Sequence, residues 1–219
     1  ESAAEAIAGL GLSAEEKLAA YMQGLKSGNA MVRRVSLAEL GKLKNRRAVS
    51  GVKGLVNDRD DEVRKLAIEV LGLLGGNEAE IFIAKLDDRS LEIVVGAIRG
   101  LGNLKAVKAV ELIKAKTVYD STGVRLAAVE ALGEMGEGKK EVLARMGDDS
   151  KSVRDAAEHV LGSLKASRDE MIEGYKSALR SSSDGARSNA VRMLSELKTK
   201  EAVNELVEAR GDATEYVRE

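Results

Sequence analysis

One short phrase recurs along the chain at a nearly fixed interval, and it constrains the fold more than any other feature. It reads VRRVSLAELGKLK at 32–44, VRKLAIEVLGLLG at 63–75, IVVGAIRGLGNLK at 93–105, VRLAAVEALGEMG at 124–136, VRDAAEHVLGSLK at 153–165 and ARSNAVRMLSELK at 186–198. The copies begin at 32, 63, 93, 124, 153 and 186, so the steps are 31, 30, 31, 29 and 33 residues. Glycines fall in register at Gly41, Gly72, Gly102, Gly133 and Gly162, with Ser195 in the sixth copy. Such spacing marks a repeat architecture, in which no unit closes a core alone and each stacks on its neighbours.

Each copy reads as a helix. In the second, Val63, Leu66, Ala67, Val70, Leu71 and Leu74 are separated by 3, 1, 3, 1 and 3 residues, which makes one apolar stripe. Lys65 and Glu69 lie off it, one turn apart. Acidic or small polar residues precede the copies (Asp60, Asp61, Ser90, Thr122, Ser150), where N-caps belong. A second, shorter helical pattern follows each first one, as in RRAVSGVKGLVND from 46, KAVKAVELIKAK from 105 and RDEMIEGYKSALRS from 168. Ser13 with Glu16 and Ser167 with Glu170 have capping-box spacing. The expected unit is helix, tight turn, helix, with no strand signal of useful length. The fold class is therefore all-α: an α-solenoid, or superhelix, of stacked antiparallel helix pairs of about 31 residues each. A glycine recurring near the end of each first helix is expected to let the paired helix approach closely.

Composition agrees. Aromatics are only 2% of the 219 residues, so the core must be aliphatic, which suits helix packing better than a sandwich or barrel. There is no cysteine, hence no disulfide framework and no thiolate site. No apolar run approaches the roughly 20 residues of a membrane span, and no signal pattern opens the chain. A cytoplasmic protein without membrane association is expected. A single Gln amid abundant Glu, Lys and Arg suggests a thermophilic source. Proline is absent altogether, for which we have no physical account.

The phrase resembles the HEAT-repeat family of armadillo-like helical proteins, in the short form of phycobilin-lyase-type repeats. Their pattern V-R-x-A-A-x-E-A-L-G-x-[LM]-G is nearly met by VRLAAVEALGEMG and VRDAAEHVLGSLK. Tetratricopeptide landmarks and the ankyrin T-P-L-H are missing. The resemblance implies a ladder between an acid near the end of one unit and the arginine opening the next. The matching positions are Asp58/Arg64, Asp120/Arg125, Asp148/Arg154 and Asp212/Arg218, with an interruption at Val94. It covers the whole chain: a partial repeat at 1–29, repeats starting near 30, 61, 91, 122, 151 and 184, and a partial repeat at 212–219. Within the first partial unit EAIAGLG (5–11) matches the tail of a first helix, with Ala8 at the glycine position. The chain thus reads as an excerpt of a longer one.

Catalytic patterns are thin. GEMGEGKK (133–140) fits G-x-x-x-x-G-K, but Lys140 stands where a P-loop needs Ser or Thr for magnesium, so a turn is expected. His159 is the only histidine, and one histidine assembles neither a multi-His metal site nor a Ser-His-Asp set. The acids at Asp58, Asp60, Asp61, Glu62 and at Asp148, Asp149 sit between units, where capping explains them. No enzyme activity, metal or cofactor is expected. Charge is uneven: residues 24–60 hold nine basic and three acidic groups, and residues 61–92 hold four and eight. Lys42, Lys44, Arg46, Arg47 and Lys53 cluster about one turn and its second helix and are the candidate partner-binding residues. The expected function is a non-enzymatic protein–protein interaction scaffold or adaptor. One alternative is nucleic-acid or ribonucleoprotein binding through residues 42–53, although no aromatics interleave there to stack bases. Another, from the resemblance, is an enzyme subunit related to bilin lyases.

Overall fold

A computed structural model describes residues 11–76 and 78–197, with Val203, Leu206, Val207, Gly211, Asp212, Thr214 and Val217 beyond them. Ala8, most of the second helix of the sixth repeat, and Arg218 lie outside the described residues. The chain forms two compact units, Glu1–Ala109 and Val110–Glu219.

In the first unit the helices are α1 (Ala14–Gly24), α2 (Ala30–Leu43), α3 (Val49–Lys53), α4 (Asp61–Leu74), α5 (Ala79–Ala84) and α6 (Leu91–Asn103). In the second they are α7 (Val110–Lys116), α8 (Thr122–Met135), α9 (Lys139–Ala144), α10 (Lys151–Ser163), α11 (Arg168–Ala178) and α12 (Asp184–Leu197). The recurring phrases are the long first helices α2, α4, α6, α8, α10 and α12. Within the units, α2 packs on α4, α4 on α6 and α8 on α10, while α3, α5, α7, α9 and α11 each pack against the first helix that follows. The fold is an α-solenoid of stacked helix pairs.

The second helices are shorter than their patterns predict. The segment from Arg46 opens in a 3-10 turn, Arg46–Ala48, because the Asn45 side chain accepts the Arg47 N–H and tightens the chain. Only Val49–Lys53 is α-helical there. Capping matches the sequence more closely. Both capping boxes form, and the Asp60 carboxylate accepts the Val63 N–H at 3.0 Å. Ser90 and Ser150 stand at N-cap positions without a side-chain cap bond, and the fourth phrase is opened by Ser121 rather than Thr122.

The core is written in columns. Leu40, Leu71, Leu101, Leu132, Leu161 and Leu194, at one position of each phrase, are all buried. Three residues after the arginine position come Ser36, Ala67, Ala97, Ala128, Ala157 and Ala190, buried and small, which leaves room for the second helices. Those helices supply buried Val52 and Phe82 in the first unit and buried Ile113 and Val142 in the second. Each fully buried Leu or Ile contributes about 1.5–3 kcal/mol, so the columns carry most of the driving force.

The glycine register serves a different contact from the one expected. A Cβ on Gly41 would meet Val70 Cγ2 at 3.2 Å, one on Gly72 would meet Gly100 Cα at 3.7 Å, and one on Gly133 would meet Val160 at 2.8 Å. Val70, Gly100 and Val160 belong to the next first helix, not to the paired second helix. Gly133 and, less tightly, Gly41 thus serve close approach between repeats rather than within them, while the Gly72 contact is an ordinary van der Waals one. Gly162 has open space around its Cβ direction, so it does not share that role.

Candidate functional site

The loops between repeats are ordered by one arginine in every repeat phrase but the third. Arg33, Arg64, Arg125, Arg154 and Arg187 each donate through Nη1 to the carbonyl of the residue six before them, namely Ser27, Asp58, Tyr119, Asp148 and Ser181, at 2.7–3.0 Å. The side chain of that residue usually accepts the N–H two positions on, as Asp58 does from Asp60 and Asp148 from Ser150. Its carboxylate then binds the arginine opening its own repeat: Arg33 to Asp58 at 2.6 Å, Arg125 to Asp148 at 2.9 Å, and Arg187 to Asp212 at 2.7 Å.

The expected ladder is therefore corrected. Asp58 does touch Arg64, and Asp148 does touch Arg154, but through the backbone carbonyl; the carboxylates turn back one repeat. Asp120 likewise offers Arg125 its carbonyl, at 2.9 Å. Of Asp212/Arg218 only Asp212 is described. In sequence register Val94 takes the arginine position and Tyr119 the position of its acid, so both members of the pair change together.

Burial disfavours the charged forms of Asp58 and Asp148, yet the guanidinium and the backbone N–H beside each hold both carboxyls below the usual range. The Arg187 bonds and the Thr214 N–H lower Asp212 to about 2. The remaining acids of these clusters are also engaged: Asp61 accepts from Arg64 and Arg89, and Asp149 from Arg125. Among the described residues no three His, Cys, Asp or Glu side chains converge as metal ligands would. His159 is exposed on α10. GEMGEGKK runs from the end of α8 through a turn to α9, with Gly136 and Gly138 left-handed, so a helix stands where a P-loop requires a strand.

The opposite side of each pair, the turn from first to second helix, carries four of the five basic candidates. Lys42, on the last turn of α2, binds Glu39 at 2.6 Å. Arg47 binds Glu15 of α1 at 2.5 Å, and Lys53, at the far end of α3, reaches Glu78 of the next turn at 2.5 Å. Lys44 and Arg46 are exposed and form no ion pair among the described residues. The structure thus gathers Lys42, Lys44, Arg46 and Arg47 on one turn, separates Lys53 from them, and leaves two of the five cations uncommitted. A groove of about 390 Å³ between α2 and α4 is lined by the apolar Val35, Ala38 and Leu66 together with two basic and two acidic residues, Arg34, Lys65, Glu62 and Glu69.

Column reading also exposes a polar joint that motif searching missed. Leu37, Ile68, Ile98 and Val129 are buried at one position of the first helices, and Glu158 takes that position in α10. Tyr175 of α11, in the register of Tyr21 of α1, is buried, and among the described residues its hydroxyl meets no partner at full hydrogen-bond geometry although the Glu158 carboxylate is near. Burial, then the nearby Glu158 carboxylate, push its phenol above the ordinary range. Glu158 accepts from Asn189 of α12 at 2.9 Å, and Asn189 in turn accepts from Arg192 at 2.8 Å.

Stacked helix pairs with a leucine column and a loop-edge arginine in five of the six phrases define an α-helical repeat protein. The chain belongs to the HEAT-repeat family: the model of HEAT repeats matches residues 18–82, 79–162 and 140–219. Solved structures of the same fold include YibA of Escherichia coli, 19% identical over 92% of this chain and 80% of that one, with a TM-score of 0.64. The complex of CpcE and CpcF of phycocyanin lyase from Nostoc sp. is 20% identical over 89% of this chain and 80% of that one, with a TM-score of 0.58. A designed armadillo repeat protein is 18% identical over 92% and 95%, with a TM-score of 0.54. A search among curated proteins returns no match. No helix among the described residues is long and apolar enough to cross a membrane.

Proposed function

We propose that the chain is a non-enzymatic scaffold that binds another protein through the edge formed by its first-to-second-helix turns, with the turn at residues 42–47 as the primary contact. The observation that carries this reading is the pair Lys44 and Arg46, exposed and without an ion pair among the described residues, on a turn with no acid of its own. The loop-edge acids, by contrast, are spent on arginines and N-caps. Lys42 and Arg47 lie on the same turn but are partly neutralised by Glu39 and Glu15, and Lys53, apart from it, is paired with Glu78. That neutralisation weakens the nucleic-acid alternative, since phosphate binding scales with the number of free cations. The similar CpcE and CpcF structure is itself a complex of two chains, which supports a partner-binding reading of the fold. In this reading the repeats start near 30, 61, 91, 122, 151 and 184, flanked by partial units at 1–29 and 212–219.

The test is affinity capture with cross-linking, comparing the wild type with Lys44→Glu/Arg46→Glu. Neither substitution breaks an ion pair among the described residues, so the helical circular dichroism should not change. The wild type should retain protein partners cross-linked near residues 42–47, and the variant should lose them. Retention of the same partners by the variant would contradict the reading.

A further inference from the structure

We propose that Lys44 and Lys105 form, within the first unit, a register of contact points for an extended acidic segment of the partner, and that Lys165 offers an equivalent point within the second; this rests on the scaffold reading above. Eleven residues after the arginine position, the phrases place Lys44, Gly75, Lys105, Gly136 and Lys165. All five have positive φ, at 48, 65, 48, 76 and 52°, with Gly75 at an extended ψ of 167°. The three lysines are the only non-glycine residues with positive φ among those described.

Glycine adopts this conformation without strain and a lysine does not, so the side chain is retained against a local cost. It is not retained for the turn itself. The Lys44, Lys105 and Lys165 N–H groups donate to the carbonyls of Gly41, Gly102 and Gly162, and the Gly136 N–H makes the same bond to Gly133. Attraction between a cation and the helix C-terminus offsets only part of the strain. All three lysines are exposed and form no ion pair among the described residues. The turn edge therefore keeps three charged side chains that the fold does not use.

The surrounding charge favours an acidic occupant. In the first unit the turn at 42–47 holds four cations and no acid, and the turn at 103–108 holds two cations and no acid. The loops at 57–62 and 87–92 hold four and three acids, each with one cation. None of the turns at 42–47, 103–108 and 163–168 carries an aromatic residue on which a base would stack, which favours a polypeptide over a single-stranded nucleic acid. Lys44 and Lys105 lie two stacking steps apart, on the order of 20 Å, which an extended segment of about six residues spans. Lys165 repeats the arrangement in the second unit.

The experiment measures binding of a fluorescent oligoglutamate peptide to the wild type and to Lys44→Gly/Lys105→Gly/Lys165→Gly. Glycine suits the left-handed turn, so the triple variant should fold and melt no lower than the wild type. Its affinity should fall by about tenfold or more. The control Lys26→Ala/Lys151→Ala, on the loop edge, should bind as the wild type does. Equal affinity of the triple variant and wild type, or equal loss in the control, would overturn the inference. Tighter binding of duplex DNA than of oligoglutamate, abolished in the triple variant, would also overturn it and assign the edge to nucleic acid. If Lys44→Glu/Arg46→Glu loses its partners while the triple glycine variant keeps its oligoglutamate affinity, the inference fails and the scaffold reading stands. If only the triple variant is affected, the scaffold contact fails and the lysine register stands.

Discussion

Arg125 and Asp148 meet edge to edge, with Nε and Nη2 of the guanidinium each 2.9 Å from a carboxylate oxygen. The Nη1 of Arg125 holds the carbonyls of Tyr119 and Asp120, so one buried side chain joins the loop before its helix to the loop that closes its repeat. Removing one partner strands the other charge in the interior. Asp148→Ala should therefore lower stability by about 3 kcal/mol, measured by urea unfolding, and Asp148→Asn by less because one acceptor remains. A change within about 0.5 kcal/mol would show that the pair is solvated.

Acid should act through the same side chains. Asp58, Asp148 and Asp212 are held below the ordinary aspartate value of about 3.9, Asp212 at about 2. Their contribution is complete above the unfolded value and is lost as pH falls through the folded value. Helical circular dichroism in mild urea should accordingly stay level down to about pH 4 and decline between about pH 4 and 2. Asp148→Asn should flatten that decline. A loss of structure centred above pH 5 would point to a group other than these aspartates.

The glycine column separates two classes of substitution. At Gly133 an added methyl lies 2.8 Å from both Val160 methyls, and a stiff β-branched neighbour cannot easily yield. Gly133→Ala should cost about 1 kcal/mol or more, despite the gain in helix propensity. At Gly162 nothing lies within 4 Å, so Gly162→Ala should stabilise the chain by roughly 0.5–1 kcal/mol. Thermal melting of the two variants reads both signs.

The fold was legible because its information is periodic. Leu71 and Gly72 recur with their counterparts, and the helix stripe around them follows from spacing alone. What spacing does not contain is direction. Gly72 was expected to face its paired helix and faces Gly100 of the next unit; Asp58 was expected to bind Arg64 by its carboxylate and binds Arg33. Both choices depend on the rotation of each helix about its axis, which three-dimensional packing decides. The basic turn was visible as composition, but the commitment of Arg47 to Glu15 links residues 32 apart and needs coordinates. Glu158 was readable in principle, since it interrupts a column of Leu37, Ile68, Ile98 and Val129. Comparing columns, rather than scanning for motifs, would have found it.

That interruption carries its own expectation. Among the described residues the Tyr175 hydroxyl is buried with no well-formed hydrogen bond and lies near the Glu158 carboxylate, so Tyr175→Phe should be neutral or stabilise by up to about 1 kcal/mol. Adding Glu158→Leu restores the aliphatic column and should slow hydrogen exchange in α12 more than in α8. A loss above about 1 kcal/mol for Tyr175→Phe would mean that the hydroxyl is bonded in solution.

The account turns on which edge of the repeats meets a partner, and nuclear magnetic resonance reads this residue by residue. Titrating the isotope-labelled chain with oligoglutamate should first shift the amides of residues 42–47 and 103–108, leaving the loops at 57–62 and 87–92 unmoved. Shifts confined to those loops, or to the groove between α2 and α4, would contradict it.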